Sequence, residues 1–90
     1  IGFLPKKISE VKKIVQKMKD TKSIFKDLVY IFYESPERII DTLEVLETMC
    51  PDAELCICRE LTKKFEECAR GKASELKQRT YKGELTVVLY

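Results

Sequence analysis

The stretch "YIFYESPERIIDTLEVL", Tyr30 to Leu46, decides how this chain is read. An apolar run, "LVYIFY" from Leu28 to Tyr33, stops at the polar tripeptide Glu34-Ser35-Pro36. Ile39, Ile40, Leu43, Leu46 and Met49 then recur at helical spacing as far as Pro51. A strand apolar at both alternating positions reads as buried on both sides, under helices. Ser35 is a good N-cap residue, and Pro36 suits a first helical position because its missing N–H is not needed there. A strand that turns at once into a helix is an α/β signature, and open α/β sheets bind ligands at such carboxyl ends.

Outward from this junction the same logic yields α-β-α-β-β-α-β. The first helix fits Ser9 to about Lys19, with Ser9 as its cap and Val11, Ile14, Val15 and Met18 as its apolar stripe. Lys12, Lys13, Lys17 and Lys19 cover much of its remaining surface, and Asp20 to Asp27 reads as a connector. "ELCICRE", Glu54 to Glu60, is a second strand. "KFEECARG", Lys64 to Gly71, is a short strand or extended segment, and Ser74 to about Arg79 is a short helix. Lys82-Gly83 is a turn before the last strand, "ELTVVLY", Glu84 to Tyr90. The expected fold class is α/β, a mixed β-sheet flanked by helices.

Ninety residues allow one domain with a modest core. A chain that is 44% hydrophobic and 36% charged belongs with globular proteins, and no apolar run approaches the roughly 20 residues of a membrane helix. No secretory leader is expected, because the first basic residues follow the first apolar ones with no long apolar core behind them. The chain starts at Ile1, which reads as a piece of a longer protein. The net charge of +2 is uneven: residues 1–26 hold eight lysines against Glu10 and Asp20, and the remainder holds nine basic and thirteen acidic residues. Such a basic end attracts nucleic acid or forms a solvated helix face.

Several chemistries are set aside. Without a histidine there is no histidine triad and no imidazole ligand. Gly2, Gly71 and Gly83 are too far apart for a phosphate-cradling loop. Glu66 and Glu67 are neighbours on an extended segment and point to opposite faces, so they do not form a catalytic carboxylate pair. Cys50, Cys56, Cys58 and Cys68 match neither a secreted disulfide framework nor a zinc knuckle, since Cys56 and Cys58 are separated by one residue on a strand. They are expected to be reduced core residues, with no metal site.

Two polar strand ends remain: Tyr33-Glu34-Ser35-Pro36-Glu37-Arg38 and Arg59-Glu60-Leu61-Thr62-Lys63. If both strands point the same way, the two clusters meet on one rim. Capping and turn chemistry explains them equally well. Glu34 and Glu60 are the acids best placed for a catalytic or hydrogen-bonding role. Arg38, Arg59 and Lys63 can pair with those acids or with phosphates. Arg59 with Glu60, and Arg70 near Glu66 and Glu67, are the expected structural ion pairs.

These segments resemble a known family. "FYESPERIIDTLEVL" is similar to the "FYESPHR" strand–turn–helix of the ribosomal RNA small subunit methyltransferase I family. "CRELTKKFEECARGKASEL" resembles its "ARELTK-x-x-EE-x-x-RG-x-x-x-EL" segment, "KGELTVVL" its "KGE" stretch and final strand, and "GFLPKK" its "GFLP" segment. The four matches run in family order from Gly2 to Leu89. The resemblance implies that residues 1–90 are the C-terminal domain of a two-domain tetrapyrrole-methylase fold. The N-terminal domain, with its "GTPIGNL"-like loop, is absent from this chain. It implies transfer of a methyl group from S-adenosylmethionine to the ribose 2′-hydroxyl of a cytidine in small-subunit ribosomal RNA, in the cytoplasm, by a homodimer. Tyr33, Glu34, Ser35, Arg59 and Glu60 become candidate cofactor contacts. Arg38, Lys63, Lys12 and Lys13 become candidate RNA contacts. Glu37 departs from the family, which has histidine there. The alternatives are another enzyme of the same fold, acting on a corrin ring or in diphthamide formation, or a fragment that only binds RNA or dimerises.

Overall fold

The computed structural model describes residues 2–59 and 67–90. Its elements follow the expected order: α1 (Ile8–Ile24), β1 (Tyr30–Glu34), α2 (Ile39–Met49), β2 (Leu55–Arg59), β3 (Glu67–Gly71), α3 (Ala73–Leu76) and β4 (Leu85–Leu89). The four strands form one sheet in the order β1-β4-β2-β3. Every strand pair is antiparallel, so the parallel component expected of a mixed sheet is confined, among the described residues, to a single bridge from Phe3 to Tyr33.

Register explains the architecture. Phe32, Val87, Ile57 and Ala69 form one row across the sheet, and Tyr30, Leu89, Leu55 and Gly71 form another. These rows face the helices: Phe32, Leu55, Ile57, Val87 and Leu89 join Val11, Val15 and Met18 of α1, Leu43 and Leu46 of α2, and Leu76 of α3 in one buried core. The intervening positions face away. Ile31 is 49% and Tyr33 48% exposed, so β1 is not buried on both sides as its apolar run suggests. The described helices cover one sheet face, and the alternate residues of β1 lie on the other.

Three local readings are corrected. Helix α1 begins after Lys7, with no side-chain cap, so Ser9 sits inside the first turn instead of capping it. The helix also continues through Asp20, whose carboxylate accepts from Gln16 Nε2 at 3.0 Å one turn back, and ends at Ile24. Ser35 does not cap α2 with its side chain. Its carbonyl accepts from Arg38 and Ile39 N–H at 3.1 and 3.0 Å, which starts a turn through Pro36 ahead of the helix proper. The helix ends as expected, with Cys50 N–H on the Leu46 carbonyl ahead of Pro51. Gly83 has φ of 73°, the left-handed conformation that glycine adopts without a Cβ penalty, and turns the chain into β4.

All four cysteines are free. The expectation that they belong to the core holds for Cys58 alone: Cys50 and Cys56 are half-buried, and Cys68 is exposed. Cys56, Cys58 and Cys68 occupy the sheet face opposite the helices, which is why Cys56 and Cys68 keep solvent exposure.

Candidate functional site on one rim of the sheet

Because β1 and β2 both run antiparallel to β4, they point the same way with β4 between them. Glu34, Leu85, Arg59 and Glu67 form the last row of the sheet. The carboxyl ends of β1 and β2 therefore share one rim, together with the loop that enters β4. The rim expected from two polar strand ends is present through Glu34 and Arg59. Glu60 and Lys63 lie outside the described residues.

The two strand ends are chemically unlike. Glu34 is only 2% exposed, and a buried carboxylate is costly unless it is fully partnered. Its Oε1 accepts from the Ser35 N–H at 3.0 Å and lies 3.3 Å from Arg38 Nε. Its Oε2 accepts from the Thr42 hydroxyl at 2.7 Å. Arg38 Nε also donates to Ser35 Oγ at 3.1 Å. Strand β1 is thereby fastened to the first turns of α2, which packs the helix on the sheet at a fixed height. Ser35 and Arg38 are used within this bracket. Tyr33 points the other way, onto the uncovered face, where its ring lies 5.7 Å from that of Phe3.

Arg59, at the end of β2, has looser company. One terminal nitrogen is 3.3 Å from the exposed carboxylate of Glu67, and its Nε is buried without a partner among the described residues. Arg70 pairs instead with Glu54, at 3.2 Å. It cannot meet Glu67, because the two stand on opposite faces of β3.

Arg59 and Glu67 form one side of a cleft of about 540 Å³ whose other side is the Arg79–Lys82 segment ahead of β4. Tyr81 is fixed there by its hydroxyl, which donates to the Leu76 carbonyl at 2.7 Å. Burial pushes the Tyr81 phenol up, partly offset by the positive charge of Arg79. Three cations and an aromatic ring around an open cleft suit a phosphate-bearing, stackable ligand. By its sequence this segment reads as a helix end and a turn. The basic–polar–aromatic–basic run Arg79-Thr80-Tyr81-Lys82 was the available signal.

The basic helix is not gathered at this rim. Lys12 and Lys13 are exposed on α1, and Lys12 borders a shallow groove with Asp41 and Glu44 of α2. Lys19, Lys22 and Lys26 surround an apolar cleft with Tyr30, Cys50 and Leu89, at the opposite rim. No helix among the described residues is long and apolar enough to cross a membrane.

No family model matches the chain. Individual relatives do. It is 43% identical over 96 residues to a ribosomal RNA small subunit methyltransferase I from Hydrogenobaculum, covering 99% of this chain and 38% of that protein. The protein of the same name from Halalkalibacterium halodurans is 37% identical over 93 residues, covering 99% of this chain and 30% of the relative. That from Thermotoga maritima is 36% identical over 92 residues, covering 98% and 39%. The chain thus spans between 30% and 39% of the length of these curated relatives. Along nearly its whole length the chain is homologous to part of these proteins, and it belongs to the ribosomal RNA small subunit methyltransferase I family as a relative of part of their length.

Proposed function

We propose that this chain is the C-terminal domain of an S-adenosylmethionine-dependent methyltransferase that methylates the ribose 2′-hydroxyl of a cytidine in small-subunit ribosomal RNA. The observation that carries its part in the reaction is the shared rim of β1 and β2, with Arg59, Arg79, Tyr81 and Lys82 around one cleft. The names of the relatives support the RNA substrate and the methyl transfer.

S-adenosylmethionine supplies a methyl carbon with a neutral thioether as its leaving group. For it the described residues offer the unpartnered Arg59 Nε–H, a fitting donor to the cofactor's carboxylate. The chain's further task is to position RNA. Arg79 and Lys82 hold phosphate oxygens and Tyr81 offers a face for a base, which brings the ribose oxygen into line behind the methyl carbon. Alignment of this kind supplies about 7–11 kcal/mol of barrier reduction. Methyl transfer would also require the 2′-hydroxyl to give up its proton, which would pass to water in the open cleft. Glu34 does not accept that proton in this reading, because its oxygens already accept from the Ser35 N–H and the Thr42 hydroxyl and face the Arg38 guanidinium. It is a positioning residue that fixes β1 and α2. The exposed apolar groups at the β1 edge, Phe3, Ile31 and Tyr33, support packing against the rest of a two-domain homodimer. The reaction belongs to the cytoplasm, where ribosomal RNA is its substrate.

The test is methyl incorporation into small ribosomal subunits by the longer protein that contains this chain, followed by mapping of the modified nucleotide. Incorporation at a ribose 2′-oxygen, reduced by Arg79→Glu with Lys82→Glu, supports the proposal. Methylation of a base, or full activity in that double variant, overturns it. The 90-residue chain alone is expected to bind S-adenosylmethionine weakly or not at all by calorimetry.

A further inference from the structure

The three thiols on the sheet face opposite the helices converge. Cys56 and Cys58, two apart on β2, share a face, and Cys58 stands directly across from Cys68 on β3. The sulfurs of Cys56 and Cys58 are 3.7 Å apart, and all three lie within 4.8 Å of one another. A cation that binds thiolates at about 2.3 Å in tetrahedral geometry holds its sulfurs about 3.8 Å apart. The triangle therefore needs its wider edges to close by no more than about 1 Å to accept such an ion. We propose that Cys56, Cys58 and Cys68 form a three-thiolate site for one thiophilic d10 cation of the zinc–cadmium class.

Simple packing of small apolar side chains explains Cys58. It does not explain Cys68, which is exposed yet aims its sulfur at the other two. The paired strands fix the triangle before any ion arrives, so little ordering is required on binding. Three thiolates without imidazole or carboxylate select a soft cation over magnesium or calcium. Arg70, across from Cys56, does not repel the ion with its full charge, because Glu54 lies 3.2 Å from it. Thiols bind such an ion as thiolates, so its uptake displaces protons. Three ligands leave a coordination position open, which is the arrangement of exchangeable and catalytic sites; structural zinc sites are closed by four.

The site stands independently of the methyltransferase reading. Its test is titration of the reduced full chain with cadmium, followed by sulfur-to-cadmium charge-transfer absorption. One ion per chain is expected, with three of the four thiols protected from alkylation. Cys68→Ser is the informative variant, since an exposed position tolerates the change. It should weaken cadmium binding by about 100-fold, while Cys50→Ser leaves it unchanged. Absence of the absorption with four alkylatable thiols overturns the proposal. So does an affinity that Cys68→Ser does not alter, or one that Cys50→Ser weakens equally.

Discussion

The ends of β1 and β2 lie on one rim and carry an acid and an arginine, yet they do opposite work. At the end of β1 the carboxylate is buried and saturated, held by Ser35, Arg38 and Thr42. At the end of β2 the arginine is paired with an exposed acid, and one of its nitrogens has no partner among the described residues. The first end is a fastening and the second is an open hand. Charged residues at equivalent sheet positions thus do not share a role, and burial with hydrogen-bond saturation is what separates them.

The largest effect should come from breaking the fastening. Glu34→Ala leaves the Ser35 N–H and the Thr42 hydroxyl without their acceptor and Arg38 without its ion partner, and should cost about 3–5 kcal/mol in urea unfolding. Thr42→Val removes a single buried hydrogen bond and should cost about 1–3 kcal/mol. Unchanged stability in Glu34→Ala, with turnover lost per folded molecule, would reverse the assignment and make Glu34 part of the chemistry.

The open end should respond in binding instead. In the longer protein, Arg79→Glu and Lys82→Glu should weaken RNA association, and Arg79→Ala alone should lower the slope of log affinity against log salt by about 1. Stability should shift by no more than about 0.5 kcal/mol, as for most surface changes. A slope unchanged in Arg79→Ala would remove that side chain from the interface.

The cleft's aromatic wall gives a pH signature. The native Tyr81 phenol has a raised pKa, so its contribution to stability is intact below the unfolded value of about 10 and is lost as pH rises through the native value. Tyr81→Phe should remove that alkaline loss from a stability–pH curve; a curve that keeps it unaltered would place the titration elsewhere. The smallest effect is expected from Glu67→Gln, which removes an exposed partner of Arg59 and should cost about 0.2–1 kcal/mol by thermal melting.

The order of elements was legible because each apolar run carries its own period and its own stops. Pro51 ends α2 and Gly83 turns into β4, and both signals are local. The number of layers was not legible: "LVYIFY" is apolar at every position, and nothing in it reveals that Ile31 and Tyr33 face away from the helices. Capping was misread where competing partners decide it, since the Ser35 hydroxyl takes Arg38 Nε in place of a backbone N–H. The parallel sense of β1 and β2 could be stated only as a condition, because it depends on β4, which lies 25 residues beyond β2 in the chain. The thiol triangle needs the pairing of Cys58 with Cys68, a register that linear spacing does not contain.

That central position of β4 has a consequence for assembly during synthesis. Neither β1 nor the β2–β3 hairpin can pair with the other directly; each waits for the same late strand. A nascent chain emerging from the ribosome therefore presents two unzipped halves, a β1 layer and a hairpin, until Leu85–Leu89 arrives and joins them, which makes closure of the sheet a late, long-range event.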